Sequence, residues 1–326
     1  MTLILRRLKS TTASTSTKLI AEELLAHAHN VGPITQRQFI DANQLQRLSL
    51  TLNRPNLHAH QPICLEAPSA GTPVPPGYHL AYFTPAALPD ELGQDGTDRI
   101  YNPKAPYTRR MWAGGDILWD IKNRLCVGQE VTETTRLLSA DAKVTRTGEE
   151  MIVVGVQKTF KNQNGVAVVD RRDWVFRKAL LEPVPIQHIG LPGLIPLPDP
   201  TDSHVVSRDF LQTPVTLFRF SALTFNAHQI HYSQPWCREV EGHRDIVVHG
   251  PLNLINMLDL WRDSQPEGAL KVPRSIRYRA TAPIYVNEQY RGILERRDAG
   301  ASNIKLWGSD GEGGVRVGMA ADIEVF

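Results

Sequence analysis

Two stretches of this chain share one rhythm, and that repetition restricts the fold more than any single motif does. In the first, "DILWDIKNRLCVGQEVTETTRLLSADAKV" and "EMIVVGVQKTFKNQNGVAVVDRRDWVFR" alternate apolar and polar residues and turn at polar sequences such as "NQNG". A period of two is the signature of long, half-buried strands. In the second, "SIRYRATAPIYVNEQYRGILERRDAG", "NIKLWGSD" and "GGVRVGMAADIEVF" do the same. Asp116 to Val127 spans the same distance as Ser275 to Val286, Val127-Gly-Gln-Glu-Val matches Val286-Asn-Glu-Gln-Tyr, and "NGVAVVDRRDWVF" is like "EGGVRVGMAADIEVF". Order, spacing and end point agree together, as a duplicated unit requires.

Between the copies lies "EPVPIQHIGLPGLIPLPDPTDSH", residues 182–204. Proline removes backbone donors and fixes φ, so this run is unsuited to a sheet interior and reads as a stiff connector. The expected division is therefore a unit over 21–181, a linker over 182–204 and a second unit over 205–326. Ahead of the second strand set, "HGPLNLINMLDLWRDSQPEG" predicts a helix. Pro251 suits its first position, Leu252, Ile255 and Leu258 with Leu254, Met257 and Trp261 give a broad apolar face, and Gly268 lies beyond its end. An apolar helix followed by an antiparallel meander can be wrapped by it. "PPGYHLAYFTP", Pro75 to Pro85, reads as the shorter counterpart in the first copy.

The 36 Lys and Arg nearly balance the 34 Asp and Glu, so the basic excess of a nucleic-acid-coating protein is missing. No run approaches the ~20 apolar residues needed to span a bilayer. Cys64, Cys126 and Cys237 are far apart and in no CxxC pair, which argues against a disulfide framework and points to a reducing compartment. The N-terminus "MTLILRRLKSTTASTSTK" is basic, rich in hydroxyl residues and free of acidic residues before Glu22. Those properties describe a mitochondrial transit peptide over residues 1–20, in which Leu3, Ile4, Leu5 and Leu8 oppose the basic residues.

The chemistry concentrates in "TFNAHQIHYS", Thr224 to Ser233, which sets an amide beside two imidazoles, and in "VVHGPL", Val247 to Leu252. His228, His231, His243, His249 and Cys237 could supply a zinc set, but their spacing fits no compact zinc pattern. Ordinary loop or core histidines are the plain alternative. Gly250 carries a third reading. A glycine at the entrance of a buried helix, followed by proline, leaves an N–H aimed at an anion and adds the positive end of the helix dipole. Such a donor suits the oxyanion that an acyl thioester develops when its α-proton is removed, and His231 is a suitable base.

"FSALTFNAHQIHYS" with the following "HGPL" resembles the hydratase-2 or MaoC-type motif of hotdog-fold enoyl-thioester hydratases and (R)-3-hydroxyacyl-thioester dehydratases, usually Y-x-x-x-S/T-G-D-x-N-P-I-H. "PPGYHLAYFTP", "DGTDRIYNPKAPYTRRMWAGG" and "LWGSDGEGGVRV" resemble the branch with mitochondrial type 2 3-hydroxyacyl-thioester dehydratases and mesaconyl-CoA hydratases. The resemblance implies an α+β double hotdog, two long antiparallel sheets each wrapped around a helix, with catalysis in the second half. It puts His231 at the catalytic histidine and Gly250 at the oxyanion-hole glycine. Asn226 stands where the family has aspartate, His228 replaces the motif's asparagine and Gln229 its proline. Asn226 cannot transfer a proton as an acid or base, but it can orient water or a hydroxyl. A one-histidine mechanism follows, with His228 as a second candidate. Arg109 and Arg110, with His249, are the substrate-binding candidates; the arginines suit a phosphate of coenzyme A or phosphopantetheine, or form a structural pair.

The implied activity is reversible dehydration of (R)-3-hydroxyacyl thioesters, on acyl carrier protein or CoA, in a mitochondrial-matrix fatty-acid pathway. No cofactor or metal is implied, and a homodimer of double-hotdog chains is one possible assembly. Hydration of a short dicarboxylic CoA ester such as mesaconyl- or itaconyl-CoA is the alternative in the same fold. A catalytically lapsed thioester-binding protein is the alternative outside it, motivated by Asn226.

Overall fold

The computed structural model describes residues 12–58, 61–182, 204–266, 272–297 and 300–326. The chain opens with α1 (Thr15–Val31), β1 (Ile34–Phe39), α2 (Ala42–Thr51) and a small hairpin of β2 (Asn56–His58) and β3 (Gln61–Pro62). Four long strands follow: β4 (Arg109–Trp119), β5 (Glu130–Val144), β6 (Glu150–Asn162) and β7 (Gly165–Arg177). The rest comprises β8 (Val205–Leu211), α3 (Pro214–Leu223), α4 (Gly250–Asp263), β9 (Ser275–Ala280), β10 (Gln289–Arg296), β11 (Ser302–Ser309) and β12 (Val315–Glu324). Nearly all of the linker expected over 182–204 lies outside the described residues.

Ten strands make one antiparallel sheet in the order β1-β5-β6-β7-β4-β9-β12-β11-β10-β8. The order reads as two five-stranded halves joined where β4 pairs with β9. At that seam Ile117 lies opposite Ile276, and these two residues are equivalents in the two sequence copies. Equivalent positions meet in this way at a local two-fold axis. The offset that aligns them also aligns two further pairs of bonds. Val74 donates its N–H to the Leu125 carbonyl at 2.9 Å, and Val248 donates to Ile284 at 2.8 Å. Val127 donates to Thr72 at 2.9 Å, and Val286 donates to Ile246 at 3.0 Å. Thr72 to Val74 thus corresponds to Ile246 to Val248, which makes Pro76 the counterpart of Gly250.

In the second half α4 is buried at every position from Leu252 to Trp261, each large apolar side chain contributing about 1.5–3 kcal/mol by leaving water. The polar residues on it are accommodated individually: Asn256 donates to the Tyr290 hydroxyl at 3.0 Å, and Asp259 accepts from the Tyr78 hydroxyl at 2.9 Å. In the first half the expected shorter helix is a single 3-10 turn, Tyr78–Ala81. It stops because Phe83 takes a left-handed φ of 53° and Thr84 precedes Pro85, a position that disfavours helical ψ. Leu45 and Leu48 of α2 join the same core.

The strands of the two halves differ in length. β5, β6 and β7 run 15, 13 and 13 residues, against 8, 8 and 10 for β10, β11 and β12. The extra length is covered by α1, whose Ala21 and Leu24 pack with Leu137, Ile152, Val154, Val156 and Phe176. The helix begins at Thr15, inside the last residues of the leader expected over 1–20. The hydroxyl-rich run caps the helix: Ser14 accepts from the Thr17 N–H at 3.4 Å. Thr17 in turn hydrogen-bonds the buried Tyr107 hydroxyl at 2.6 Å. Among the described residues no helix is long and apolar enough to cross a membrane.

Candidate active site

The motif lies between two helices. Thr213 caps α3 by accepting from the Thr216 N–H at 3.3 Å, and the helix ends where Phe225 adopts a left-handed φ of 48°. Asn226 then closes a side-chain turn, its Oδ1 accepting from the His228 N–H at 3.1 Å. One 3-10 turn, Gln229–His231, delivers His231 into the interior.

Nδ1 of His231 lies 2.8 Å from the Val247 carbonyl. A carbonyl only accepts, so Nδ1 carries the proton and Nε2 keeps a free lone pair. Burial pushes the imidazole pKa down to about 4, against a smaller upward pull from the Val247 bond. The ring is neutral at physiological pH, as a base must be. His249 stacks on it at 3.6 Å with an interplanar angle of 18°, while His228 meets it edge-on at 5.4 Å. Burial drives both of these well down as well, helped at each by the proximity of His231. The three rings stack and tilt against one another, and among the described residues no cluster of metal-ligating side chains occurs.

His231, His228, Asn226 and Gly250 line one cavity of about 1080 Å³. Its walls come from both halves of the chain, Tyr101, Trp112 and Arg172 from the first and the motif from the second, and an apolar section includes Leu80, Tyr82, Phe83, Phe218 and Phe225. Gly250 opens α4, and among the described residues its N–H has no hydrogen-bond acceptor. The helix start and the free N–H together form an anion-stabilising corner. Glycine is needed there for closeness: a Cβ would come within 2.9 Å of Trp112 Cγ. In the first half the counterpart is Pro76, which has no N–H to donate. One half can therefore build this corner and the other cannot.

The comparisons with known proteins give the family and the fold. The family model for hydroxyacyl-thioester dehydratase type 2 matches residues 77–286, a span running from the first-half turn through the motif and α4 to the start of the second meander. The chain belongs to this family. A mesaconyl-C(4)-CoA hydratase of Chloroflexus aurantiacus is 31% identical, covering 75% of this chain and 82% of that protein. A mitochondrial hydroxyacyl-thioester dehydratase type 2 of Schizosaccharomyces pombe is 24% identical, covering 79% and 88%. Among solved structures, a MaoC-like dehydratase from Phytophthora capsici superposes with a TM-score of 0.60 at 14% identity, over 90% of this chain and 95% of that one. A Mycobacterium tuberculosis protein described as a double hotdog gives 0.55 at 13%, over 90% and 94%. The fold is the double hotdog that the resemblance implied.

In this dehydratase-family chain, one of the three expected binding residues lines the cavity and two do not. Arg109 is buried, its Nε 3.2 Å from a Glu241 carboxylate oxygen and its terminal nitrogen donating to the Glu241 carbonyl at 2.6 Å. That arginine holds the loop after the motif and is absent from the cavity wall. His249 is fully buried, its Nε2 2.9 Å from the Ser221 hydroxyl; it backs His231 and does not reach the cavity wall. Arg110 does line the cavity, with its guanidinium on Asp98 at 3.2 Å through two nitrogens and over the Trp174 ring at 5.2 Å. Three side chains were not singled out from sequence. Trp112 and Asn253 line the cavity with a buried Nε1 and a buried Oδ1 that lack partners among the described residues. Asp95 reaches His228 from the other half, with 3.7 Å between Oδ2 and Nε2. Trp112 lies in the quoted "RRMWAGG", but nothing local shows that it abuts Gly250.

Proposed function

We propose that the protein interconverts (R)-3-hydroxyacyl thioesters and trans-2-enoyl thioesters. The observation that carries this reading is the pairing, in one cavity, of a neutral His231 whose Nε2 is the free nitrogen with an unsatisfied Gly250 N–H at a helix start. In dehydration Nε2 removes the α-proton, and the charge moving onto the thioester oxygen meets the Gly250 N–H and the helix dipole. The β carbon–oxygen bond then breaks as His231 returns the proton to the departing hydroxyl, which leaves as water. Both events occur on one face of the substrate, so one histidine serves for both. Asn226, on the cavity wall, orients the hydroxyl by hydrogen bonding.

The apolar section of the cavity supports an aliphatic acyl chain, and the basic, hydroxyl-rich N-terminus supports a mitochondrial-matrix pathway using acyl carrier protein or CoA. The printed name of the Schizosaccharomyces pombe relative, a mitochondrial enzyme, supports the organelle. Hydration of a short dicarboxylic CoA ester is the second reading, favoured by the Chloroflexus relative. A panel of enoyl thioesters, straight-chain from four carbons upward and mesaconyl, each on CoA and on carrier protein, separates the readings by loss of enoyl absorbance. Preference for longer straight chains supports the first reading, and turnover confined to the mesaconyl ester replaces it with the second. Binding without turnover across the panel would make the chain a lapsed thioester binder.

A further inference from the structure

The motif of this chain lacks the family's carboxylate, and the fold brings one in from the other half. Residues 93 to 97 form a tight loop, in which Gly93 donates to the Thr97 carbonyl at 2.8 Å and Gly96 to the Gly93 carbonyl at 2.9 Å. It is fastened to the motif. Gln229 donates its N–H to the Asp95 carbonyl at 2.8 Å and its Nε2 to the Gln94 carbonyl at 2.7 Å. The contact is so close that a Cβ on Gly96, whose φ is +82°, would lie 2.0 Å from the Ala227 carbonyl oxygen. The Asp95 carboxylate is buried and held by the Thr97 N–H at 3.0 Å and the Thr97 hydroxyl at 2.9 and 3.0 Å.

That carboxylate faces His228. Among the described residues Nε2 of His228 is buried without a hydrogen-bond partner, 3.7 Å from Asp95 Oδ2. An unbonded ring nitrogen at that depth costs stability, and a shift of a few tenths of an ångström makes the bond. A carboxylate accepts and does not donate, so the bond requires the proton on Nε2. Nδ1 is then left as an acceptor for the cavity that His228 lines.

We propose that Asp95 is a positioning residue that fixes His228 as its Nε2–H tautomer, so that Nδ1 accepts the hydrogen of the substrate's β-hydroxyl. This rests on the dehydration reading above. The hydroxyl's own hydrogen points at His228, which turns an oxygen lone pair toward the proton that His231 took from the α-carbon. The carbon–oxygen bond breaks, the former α C–H electron pair becomes the double bond, and water leaves with both hydrogens. His228 ends as it began. In hydration the same contact orients the attacking water.

Long-range proton–nitrogen spectra of the ¹⁵N-labelled free enzyme report imidazole tautomers, with the His228 signals assigned by their loss in His228→Gln. The expected wild-type result is the Nε2–H form. In Asp95→Asn, whose amide can donate, the population moves toward Nδ1–H at an unchanged melting temperature. Turnover of crotonyl-CoA is expected to fall roughly ten- to hundredfold in kcat with little change in KM, the scale of one charge-assisted hydrogen bond. Asp95→Asn is expected to add no further loss in a His228→Gln background. An Nδ1–H His228 in the wild type, an unmoved tautomer in Asp95→Asn, or additive losses would overturn the proposal. If Asp95→Asn does not fold, the wild-type spectrum alone decides. Absence of turnover on any thioester would sink the dehydration reading while leaving the tautomer result to stand by itself.

Discussion

Gly250→Ala tests whether the close approach at the start of α4 is what makes the anion corner. The added Cβ would sit 2.9 Å from Trp112 Cγ and 3.1 Å from its Cβ and Cδ1. Relaxed carbon contacts fall near ~3.5–4.0 Å, so the indole or the helix start must give by roughly 0.5–1 Å. Neither is free to do so. Trp112 stacks on Tyr278 at 6.1 Å, with the Arg172 guanidinium 5.4 Å from its ring, and α4 is buried throughout its central turns. Overpacking of this kind costs about 1–3 kcal/mol, and each kcal/mol lowers Tm by roughly 2–4 °C for a chain of this class. The N–H survives but moves, and losing an oxyanion donor costs about 10²–10³ in kcat. Thermal melting and crotonyl-CoA hydration measure the two effects. Shrinking the indole, in Gly250→Ala/Trp112→Leu, is expected to remove the melting penalty relative to Trp112→Leu alone. A Gly250→Ala protein that melts and turns over like the wild type would refute the reasoning.

Asn226→Asp restores the family's carboxylate on the cavity wall; a negative charge near His231 favours the imidazolium, so the acidic limb of the kcat/KM profile is expected to move to higher pH, and an unmoved limb would detach Asn226 from His231. His231 titrates near 4 in the folded chain against 6.5 ordinarily. Below pH 6.5 the unfolded chain therefore takes up a proton that the folded chain resists, and stability falls as pH drops toward 4, by about 3 kcal/mol for this one group. Thermal melting between pH 7 and 4 checks the sign, and His231→Gln is expected to flatten the slope. Arg109→Gln strands the buried Glu241 carboxylate and is expected to cost about 3–5 kcal/mol in urea unfolding; a cost below 1 kcal/mol would return Arg109 to the candidates for substrate binding. A reporter fused to residues 1–35 is expected to enter mitochondria, and a cytosolic reporter would remove the compartment from the proposed function.

The parts of this structure that were legible in the sequence are those encoded locally or by repetition. Alternation announced the long strands, the apolar run after Pro251 announced α4, and the match of Val127 with Val286 carried the register that places Ile117 opposite Ile276. His231 and Gly250 were named from compact motifs, and both line the cavity. What stayed hidden depends on partners far away in the chain. Arg109 reads as a phosphate ligand until Glu241, 132 residues on, is seen against it. His249 reads as a surface or substrate residue until Phe220 at 4.9 Å and His231 at 3.6 Å close over it. Asp95 meets His228 only because two loops from opposite halves pack together, and no period or spacing records that contact. The start of α1 was obscured for a different reason: the hydroxyl and basic residues that mark a leader also cap and open a helix.

The most direct test of the account is the kcat of His231→Ala on a conjugated enoyl thioester, measured beside its melting temperature. With Nε2 gone and the Gly250 corner intact, the account predicts a loss of ~10²–10⁴ in kcat, the usual worth of a positioned acid–base group, in a protein that still folds. Turnover within a few fold of wild type in a folded His231→Ala protein would contradict it, because no proton could then pass through the one nitrogen on which the mechanism depends.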